Sequence, residues 1–210
     1  MVTGSCYLVE SAGTKILIDC GLHQGSRFCE RLNFEPFAFD PKEITAVLVT
    51  HSHIDHIGRL PQLVKAGFRG TVYSTEPARD FAEMLLLDSM HILVEEAARF
   101  KKPPLYHLED LDLLMQHWKG VPYHEPVAVG PFRATLYDAG HILGSSFIAL
   151  EAEGKTVLFS GDLGNSPAPI IGNREQYPEH AAYCLIESVY GDRLHESPGL
   201  RHELLEDVIE

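Results

Sequence analysis

Apolar and polar positions in the first part of the chain alternate in a way that predicts strands. Residues 5–10 and 15–20 are short apolar runs, and the turn signal at 11–14 between them predicts a β-hairpin. Residues 44–50 (ITAVLVT) form a nearly continuous β-branched and apolar run, which is typical of a strand buried on both faces. The segment 71–74 (TVYS) predicts another strand.

Three segments carry apolar residues at helical spacing. The first runs over 57–66, and Gly67, the residue after it, is suited to end a helix. A long helix is predicted over 77–100, with Pro77 at its start, and a shorter one over 108–118. Glycine and proline predict a loop between the hairpin and the strand at 44–50, and its markers are Gly21, Gly25, Pro36 and Pro41.

The second half of the chain returns to strand patterns. Residues 132–140, 145–154 and 155–162 predict three strands, with a turn at Gly154–Lys155. A loop rich in proline and glycine follows, and 182–188 predicts a last strand. Strands in antiparallel series with helices interspersed between them predict a layered α/β domain.

Composition narrows the class of protein. The chain has 210 residues, 45% of them hydrophobic and 22% charged, so it can bury a core, which excludes disordered and fibrous classes. It has no apolar run of the roughly 18 residues that a membrane span needs, and no N-terminal signal pattern. We therefore expect a soluble cytoplasmic protein with no membrane partner and four reduced cysteines.

The charge balance constrains the substrate. The formal net charge is -13, which is the wrong sign for a domain that holds nucleic acid by charge alone. A polyanionic substrate would need bound metal cations, or a basic segment elsewhere.

A cluster of metal-ligand side chains follows the predicted strand at 44–50. His51, His53, Asp55 and His56 occupy four of six consecutive positions. Imidazole nitrogen and carboxylate oxygen suit zinc and similar divalent metals, and a loop leaving a rigid strand can aim several ligands at one point. His51 and His53 lie two apart in an extended loop and point the same way, whereas Asp55 and His56 can point toward a second ion.

Two later residues have matching chemistry. His141 lies between glycines where two predicted strands meet, and Asp162 lies at the end of the strand TVLFS. With the first cluster they predict a metal centre. The remaining histidines are interpreted as solvent-facing or structural, and these are His23, His91, His107, His117, His124, His180, His195 and His202.

These motifs carry a family resemblance. The pattern His51-x-His53-x-Asp55-His56, then His141 and Asp162, resembles the metal motifs of the metallo-β-lactamase superfamily of hydrolases. The segment 186–193 (IESVYGDR) is similar to the ESTYGDR-like segment that opens the β-CASP branch, the nucleases of RNA and DNA processing that include the pre-mRNA 3′-end endonuclease. The segments GHILGS and LDSMH also resemble that branch, and the match runs from Gly4 to Arg193.

The resemblance implies a fold and a reaction. The fold would be the metallo-β-lactamase αββα sandwich, and the cofactor two Zn²⁺ ions, with other divalent metals as alternatives. His51, His53 and His141 would hold one ion, Asp55 and His56 the other, and Asp162 would bridge them. A hydroxide between the two ions would attack phosphorus.

Four carboxylates receive further roles from the resemblance. Asp55, Asp162 and Glu187 are predicted to be catalytic. Asp19 resembles the first acidic motif of the family and is expected to orient the histidine loop from behind the ligands; its alternative is a turn aspartate before Gly21. Glu187 would orient a metal ligand or the general acid, or be only a strand-end carboxylate; as Glu and not Asp, it favours RNA over DNA.

The resemblance also implies a domain organisation. Residues 1–195 would be the N-terminal part of the metallo-β-lactamase domain, and 196–210 the start of a helix, capped by Ser197 and Pro198, that leads to a missing β-CASP domain. By the same resemblance, that domain would supply a histidine that acts as general acid and another that completes the second zinc site. We therefore expect the sandwich to be incomplete and these residues alone to cleave RNA weakly.

Two alternative functions stay open at this point. A small-molecule metallo-hydrolase would use the same ions on a thioester or lactam, and a non-catalytic scaffold would serve an RNA-processing complex. The leading hypothesis is a ribonuclease acting on single-stranded RNA. No motif in the sequence indicates a preferred RNA sequence or distinguishes an endonuclease from an exonuclease. No motif indicates the oligomeric state either, and a homodimer is one option.

Overall fold

Two five-stranded sheets form the framework of the chain. The computed structural model describes residues 4–165, 170–192 and 207–209. The first sheet has the order β1-β2-β3-β4-β5, and its strands are β1 (Tyr7–Ser11), β2 (Thr14–Ile18), β3 (Ile44–Leu48), β4 (Thr71–Ser74) and β5 (Trp118–Gly120). The second sheet has the order β10-β9-β8-β7-β6, and its strands are β6 (Val127–Val129), β7 (Phe132–Asp138), β8 (Ser146–Ala152), β9 (Lys155–Phe159) and β10 (Tyr183–Leu185).

Tight turns set the register of two of the hairpins. Strands β1 and β2 are antiparallel and joined by Ala12–Gly13, with φ of 46° and 78°. Strands β8 and β9 are joined in the same way by Glu153–Gly154, with φ of 51° and 72°. Two central residues at positive φ match the right-handed twist of the flanking strands, so these turns fix which side chains face the core.

Helices connect the strands of the first sheet. After a short helix α1 (Arg27–Leu32) and a 3₁₀ turn (Pro41–Glu43), the remaining helices follow β3, and they are α2 (Ile54–Ile57), α3 (Leu60–Lys65), α4 (Glu76–Arg99) and α5 (Leu108–Gln116). Thr75 caps α4 through its side chain, and a proline lies in the first turn. These connections make β2, β3, β4 and β5 parallel neighbours.

Strand β3 lies at the centre of the layered core. Its Ala46 and Leu48 pack in the apolar layer between the two sheets, against residues such as Leu136 and Ile148. Its Val47 packs in a second layer that contains residues of helices α2 to α5. The prediction of a strand buried on both faces is thereby confirmed. The described residues form three layers of the predicted sandwich, helices, sheet and sheet.

Several elements differ from the sequence prediction. The predicted helix at 57–66 is two short helices, α2 and α3, separated at Gly58 and Arg59. Arg59 is buried, and its guanidinium lies 4.2 Å from the centre of the Phe37 ring. Strands β5 and β6 and helix α1 were not predicted. The expected antiparallel series holds for the β1–β2 hairpin and for β6 to β9, whereas β2 to β5 run parallel because helices connect them.

The predicted C-terminal helix lies outside the described residues, except that 207–209 are helical. The boundary between a domain at 1–195 and a segment at 196–210 therefore stays a prediction. Across the described ranges, every helix is too short or too polar to cross a bilayer.

Candidate metal centre

Loops at the ends of strands from both sheets meet at one edge of the sandwich. In the first sheet, Asp19 follows β2 and the histidine loop follows β3. In the second sheet, His141 lies between β7 and β8, and Asp162 follows β9. Residues far apart in the chain therefore converge at this edge. Functional sites in layered α/β folds usually lie at the ends of the strands.

Three imidazoles and one carboxylate form what we call the first donor group. Its ligand atoms, from His51, His53, His141 and Asp162, all lie within 4.8 Å of one another. The Nδ1 atom of His53 is 3.0 Å from Nε2 of His51 and 3.2 Å from Nε2 of His141. Ring nitrogens at such distances converge on one point, and a cation at that point would satisfy all of them.

A second donor group lies on the other side of Asp162. It comprises Asp55, His56 and the second oxygen of Asp162. The Nε2 atom of His56 is 3.8 Å from Oδ2 of Asp55 and 3.3 Å from Oδ1 of Asp162. Oδ2 of Asp162 is 3.7 Å from Nε2 of His51 and 3.6 Å from Nε2 of His141. The two oxygens of Asp162 thus face the two donor groups separately.

Asp19 contacts His56 from the side away from Asp162. Its Oδ2 lies 2.7 Å from Nδ1 of His56 and accepts a hydrogen bond from the Thr50 hydroxyl at 2.9 Å, while its Oδ1 accepts one from the Thr50 amide at 2.8 Å. Asp19 is almost fully buried and has a φ of 57°. The carboxylate holds a proton on Nδ1, so Nε2 is the nitrogen of His56 that faces the second donor group, where a bound cation would replace its proton.

Thr50 is a site residue that the sequence did not single out. Its hydroxyl also lies 3.1 Å from Nδ1 of His51, and its carbonyl accepts hydrogen bonds from the amide and hydroxyl of Ser146 at 2.7 Å and 3.0 Å. Thr50 therefore ties the histidine loop of the first sheet to β8 of the second sheet. The only signal in the sequence was a polar residue between an apolar run and the histidines.

The loop carrying His141 is held by the hydroxyl of Ser145. That oxygen accepts hydrogen bonds from the amides of His141 and Ile142, at 3.0 Å and 3.2 Å. Gly140 makes the required bend with a φ of 62°. These hydrogen bonds hold the backbone around His141 in one conformation, which fixes the direction of the imidazole.

The loop carrying Asp162 is packed against both neighbours. A Cβ at Gly161 would lie 2.7 Å from Cβ of Thr50, and one at Gly164 would overlap the carbonyl oxygen of Gly140. Glu187 accepts a hydrogen bond at 3.1 Å from the amide of Leu163, the residue after Asp162. Glu187 therefore contacts the Asp162 loop through the backbone and not through a ligand side chain.

Burial and charge set the protonation of the donors. Burial lowers the pKa of His51 to about 2 and also lowers the pKa of His141, so both imidazoles are neutral at pH 7. Burial alone would lower the pKa of His56, but Asp19 and Asp162 outweigh it and raise that pKa to about 10. Burial likewise opposes ionisation of Asp162, but the hydrogen bond and charge of His56 lower its pKa to about 2.

A cleft of about 980 Å³ opens over the second donor group. Apart from His56, its charged lining is acidic and consists of Asp19, Asp55, Asp162, Glu187 and Asp192. Among the described lining residues there is no lysine or arginine. An anionic ligand would therefore be repelled from this cleft unless cations neutralise the carboxylates.

The other histidines do not join the donor groups where the structure describes them. His124, for example, is exposed and pairs with Glu175 at 2.9 Å. His107 begins helix α5 as its N-cap residue. His195 and His202 lie outside the described residues.

Replacing Asp19 by alanine is expected to lower metal affinity or activity about 10- to 100-fold, which is typical for a residue that orients a ligand. The loss follows because Nδ1 of His56 and two donors of Thr50 would lose their buried acceptor. Titration of the purified variant with zinc measures the affinity, with Asp40→Ala on the surface as the control. Complete loss of metal would instead make Asp19 a direct ligand, and unchanged affinity would remove its role.

Comparison with known proteins agrees with this geometry. The family described as the metallo-beta-lactamase superfamily matches residues 2–198, which is most of the chain. Among solved structures, a protein of unknown function from Enterococcus faecalis shares the fold, with a TM-score of 0.55 at 15% identity over 77% of this chain and 41% of that one.

Curated relatives match the same region. A ribonuclease of Thermus thermophilus is 40% identical over 92% of this chain and 42% of its own length. Subunit 3 of the cleavage and polyadenylation specificity factor of Dictyostelium discoideum is 31% identical over 95% of this chain and 26% of its own. The transcription termination factor FttA of Methanocaldococcus jannaschii is 32% identical over 98% and 33%. These matches confirm the predicted resemblance to the N-terminal portion of the β-CASP nucleases, and the chain spans less than half the length of these relatives.

Proposed function

Because this chain belongs to the metallo-β-lactamase superfamily, we propose that it carries the metal centre of a zinc-dependent phosphodiester hydrolase that cleaves single-stranded RNA. The observation that carries the proposal is the placement of Asp162, whose two oxygens face two separate donor groups. A carboxylate in that position can join two cations in one centre.

Each donor group has the chemistry to hold one ion. His51, His53 and His141 would bind the first ion, and Asp55 and His56 the second, with Asp162 shared between them. Neutral imidazoles and ionised carboxylates are the ligands that zinc selects, and other divalent metals accept the same set. When bound, the two ions would lower the pKa of water and stabilise negative charge on the oxygens around phosphorus.

The residues around the ligands would keep these donors in place. Asp19 holds the proton on Nδ1 of His56 and so presents Nε2 to the second ion. Glu187 would act on the same reaction by fixing the loop of Asp162 through the amide of Leu163. In this proposal Asp55 and Asp162 are catalytic through the ions that they hold, and Glu187 is a positioning residue.

RNA is the substrate that several features support. The names of the relatives include a ribonuclease and endoribonucleases, alongside a cleavage and polyadenylation factor subunit. The acidic cleft needs metal cations before it can accept a phosphate backbone, which agrees with a metal-dependent reaction. An open cleft also suits a single strand, whose phosphates and bases can reach the ions one at a time.

The test is cleavage of a labelled single-stranded RNA by excess zinc-loaded protein in a single turnover. We expect slow cleavage that chelator abolishes and added zinc restores, with a duplex of the same sequence cut more slowly. Zinc-loaded protein that leaves RNA intact but hydrolyses a thioester or lactam would replace this proposal by a small-molecule hydrolase. Protein that binds zinc and RNA without any hydrolysis would support a scaffold instead.

A further inference from the structure

An exposed aromatic side chain stands beside the metal centre. Tyr7 begins strand β1 and pairs in register with Ile18, the residue directly before Asp19. It lines the same cleft as Asp55, His56 and Asp162. None of the roles assigned so far uses this side chain.

The ring is supported from below and accessible from the cleft. Its centroid lies 5.6 Å from that of Phe159, with the two planes at 56°. Phe159 is 4% exposed and belongs to the apolar layer between the sheets, whereas Tyr7 is 43% exposed. The ring therefore has a fixed support and a large accessible surface.

The cleft has one charged end and one apolar wall. Besides Tyr7 and Phe159, the wall includes Ile18, Leu185, Ile186 and Val189. The charged end has acidic side chains and no lysine or arginine among the described lining residues. On this lining, an RNA strand would bind through contacts of its phosphates with metal ions and contacts of its bases with the apolar wall.

We propose that Tyr7 stacks on an unpaired nucleobase of the RNA strand, next to the phosphate held at the metal centre. The proposal rests on the proposed function and names how the same cleft holds its substrate. Bases stack on aromatic side chains with little dependence on sequence, because every base has a π-face. Because the described lining of the cleft has no lysine or arginine, this contact would carry much of the affinity for RNA.

Mononucleotides provide a binding test that needs no cleavage. Adenosine monophosphate, with its phosphate at the 5′ or the 3′ position, carries a base that ribose 5-phosphate lacks. By calorimetry on zinc-loaded protein, we expect the better of the two nucleotides to bind about tenfold more tightly than ribose 5-phosphate. Tyr7→Leu keeps an apolar side chain without a ring and should remove this difference, whereas Tyr7→Phe should keep it.

The matched control is Leu8→Ala. Leu8 is 44% exposed, like Tyr7, but as the next residue on β1 it faces the opposite side of the strand. Its replacement should leave the preference for the nucleotide unchanged. Zinc content equal to the unchanged protein, together with an unchanged melting temperature, verifies that each variant folds.

Single-turnover cleavage of RNA gives the second measurement. Tyr7→Leu should raise the half-saturating protein concentration about tenfold and leave the maximal rate nearly constant. Two results would overturn this inference alone. The first is that the unchanged protein binds the nucleotide and ribose 5-phosphate equally tightly, and the second is that Tyr7→Leu leaves the half-saturating protein concentration unchanged. Zinc-loaded protein that cleaves no RNA would overturn the proposed function, and the present inference with it.

Discussion

Replacement of Asp162 by alanine is expected to remove both metal ions and to slow hydrolysis at least about 1,000-fold, since metal ions supply several kcal/mol of transition-state stabilisation. The reason is geometric. One oxygen of this carboxylate faces His51 and His141, and the other faces His56. Elemental analysis of the purified variant measures the zinc content, and the RNA assay measures the rate.

His53→Ala distinguishes the shared ligand from one that belongs to a single donor group. His53 contacts His51 and His141, and no contact with the second donor group is present among the described residues. We expect this variant to lose mainly the first ion, whereas Asp162→Asn should weaken both because a neutral amide bridges poorly. The exposed Asp112→Ala serves as the control. Full zinc occupancy in both His53→Ala and Asp162→Ala would refute the assignment of the centre.

The second large effect is expected at Gly21, where a methyl group would overlap the carbonyl oxygen of Asp55. That carbonyl accepts a hydrogen bond at 2.7 Å from the amide of Ser5, and the neighbouring carbonyl of His56 accepts one at 2.8 Å from Cys20. Gly21→Ala would push helix α2 away from these partners. Because the obstacle is backbone, we expect the free energy of unfolding to fall by about 2 kcal/mol or more.

Urea denaturation in the presence of chelator isolates this packing effect from metal binding. Gly13→Ala is the control, because a methyl group there would meet nothing within 4 Å. Its φ of 78° costs only about 1 kcal/mol, so the control measures backbone strain without overlap. A Gly21→Ala variant as stable as Gly13→Ala would show that α2 can shift freely. If α2 does move, zinc binding at the second donor group should also weaken.

Most of the candidate ligands were visible in the sequence because their chemistry is unusual for their context. Three histidines and an aspartate directly after a buried strand have no role in a core, and the residues around His141 and Asp162 repeat that signal. The strands at 44–48 and 71–74 were also predicted well, since continuous β-branched runs have few alternatives.

What the sequence could not reveal depends on contacts between distant residues. Thr50 and Ser146 meet only because two sheets pack together, and neither residue type is rare in a loop. The break between α2 and α3 lies at Arg59, whose amide donates a hydrogen bond at 2.9 Å to the carbonyl of Cys20 and not to the preceding helical turn. Strand β5 has three residues, Trp118 to Gly120, and exists through its pairing with β4.

The division of the ligands between two sheets has a consequence for how the chain matures. His51, His53, Asp55 and His56 lie in the first sheet's half of the chain, whereas His141 and Asp162 are synthesised later, with the second sheet. Early in synthesis, therefore, only part of each donor group exists. In the proposed centre, tight metal binding would therefore require the second sheet to dock on the first, and uptake of zinc would report and stabilise that docking.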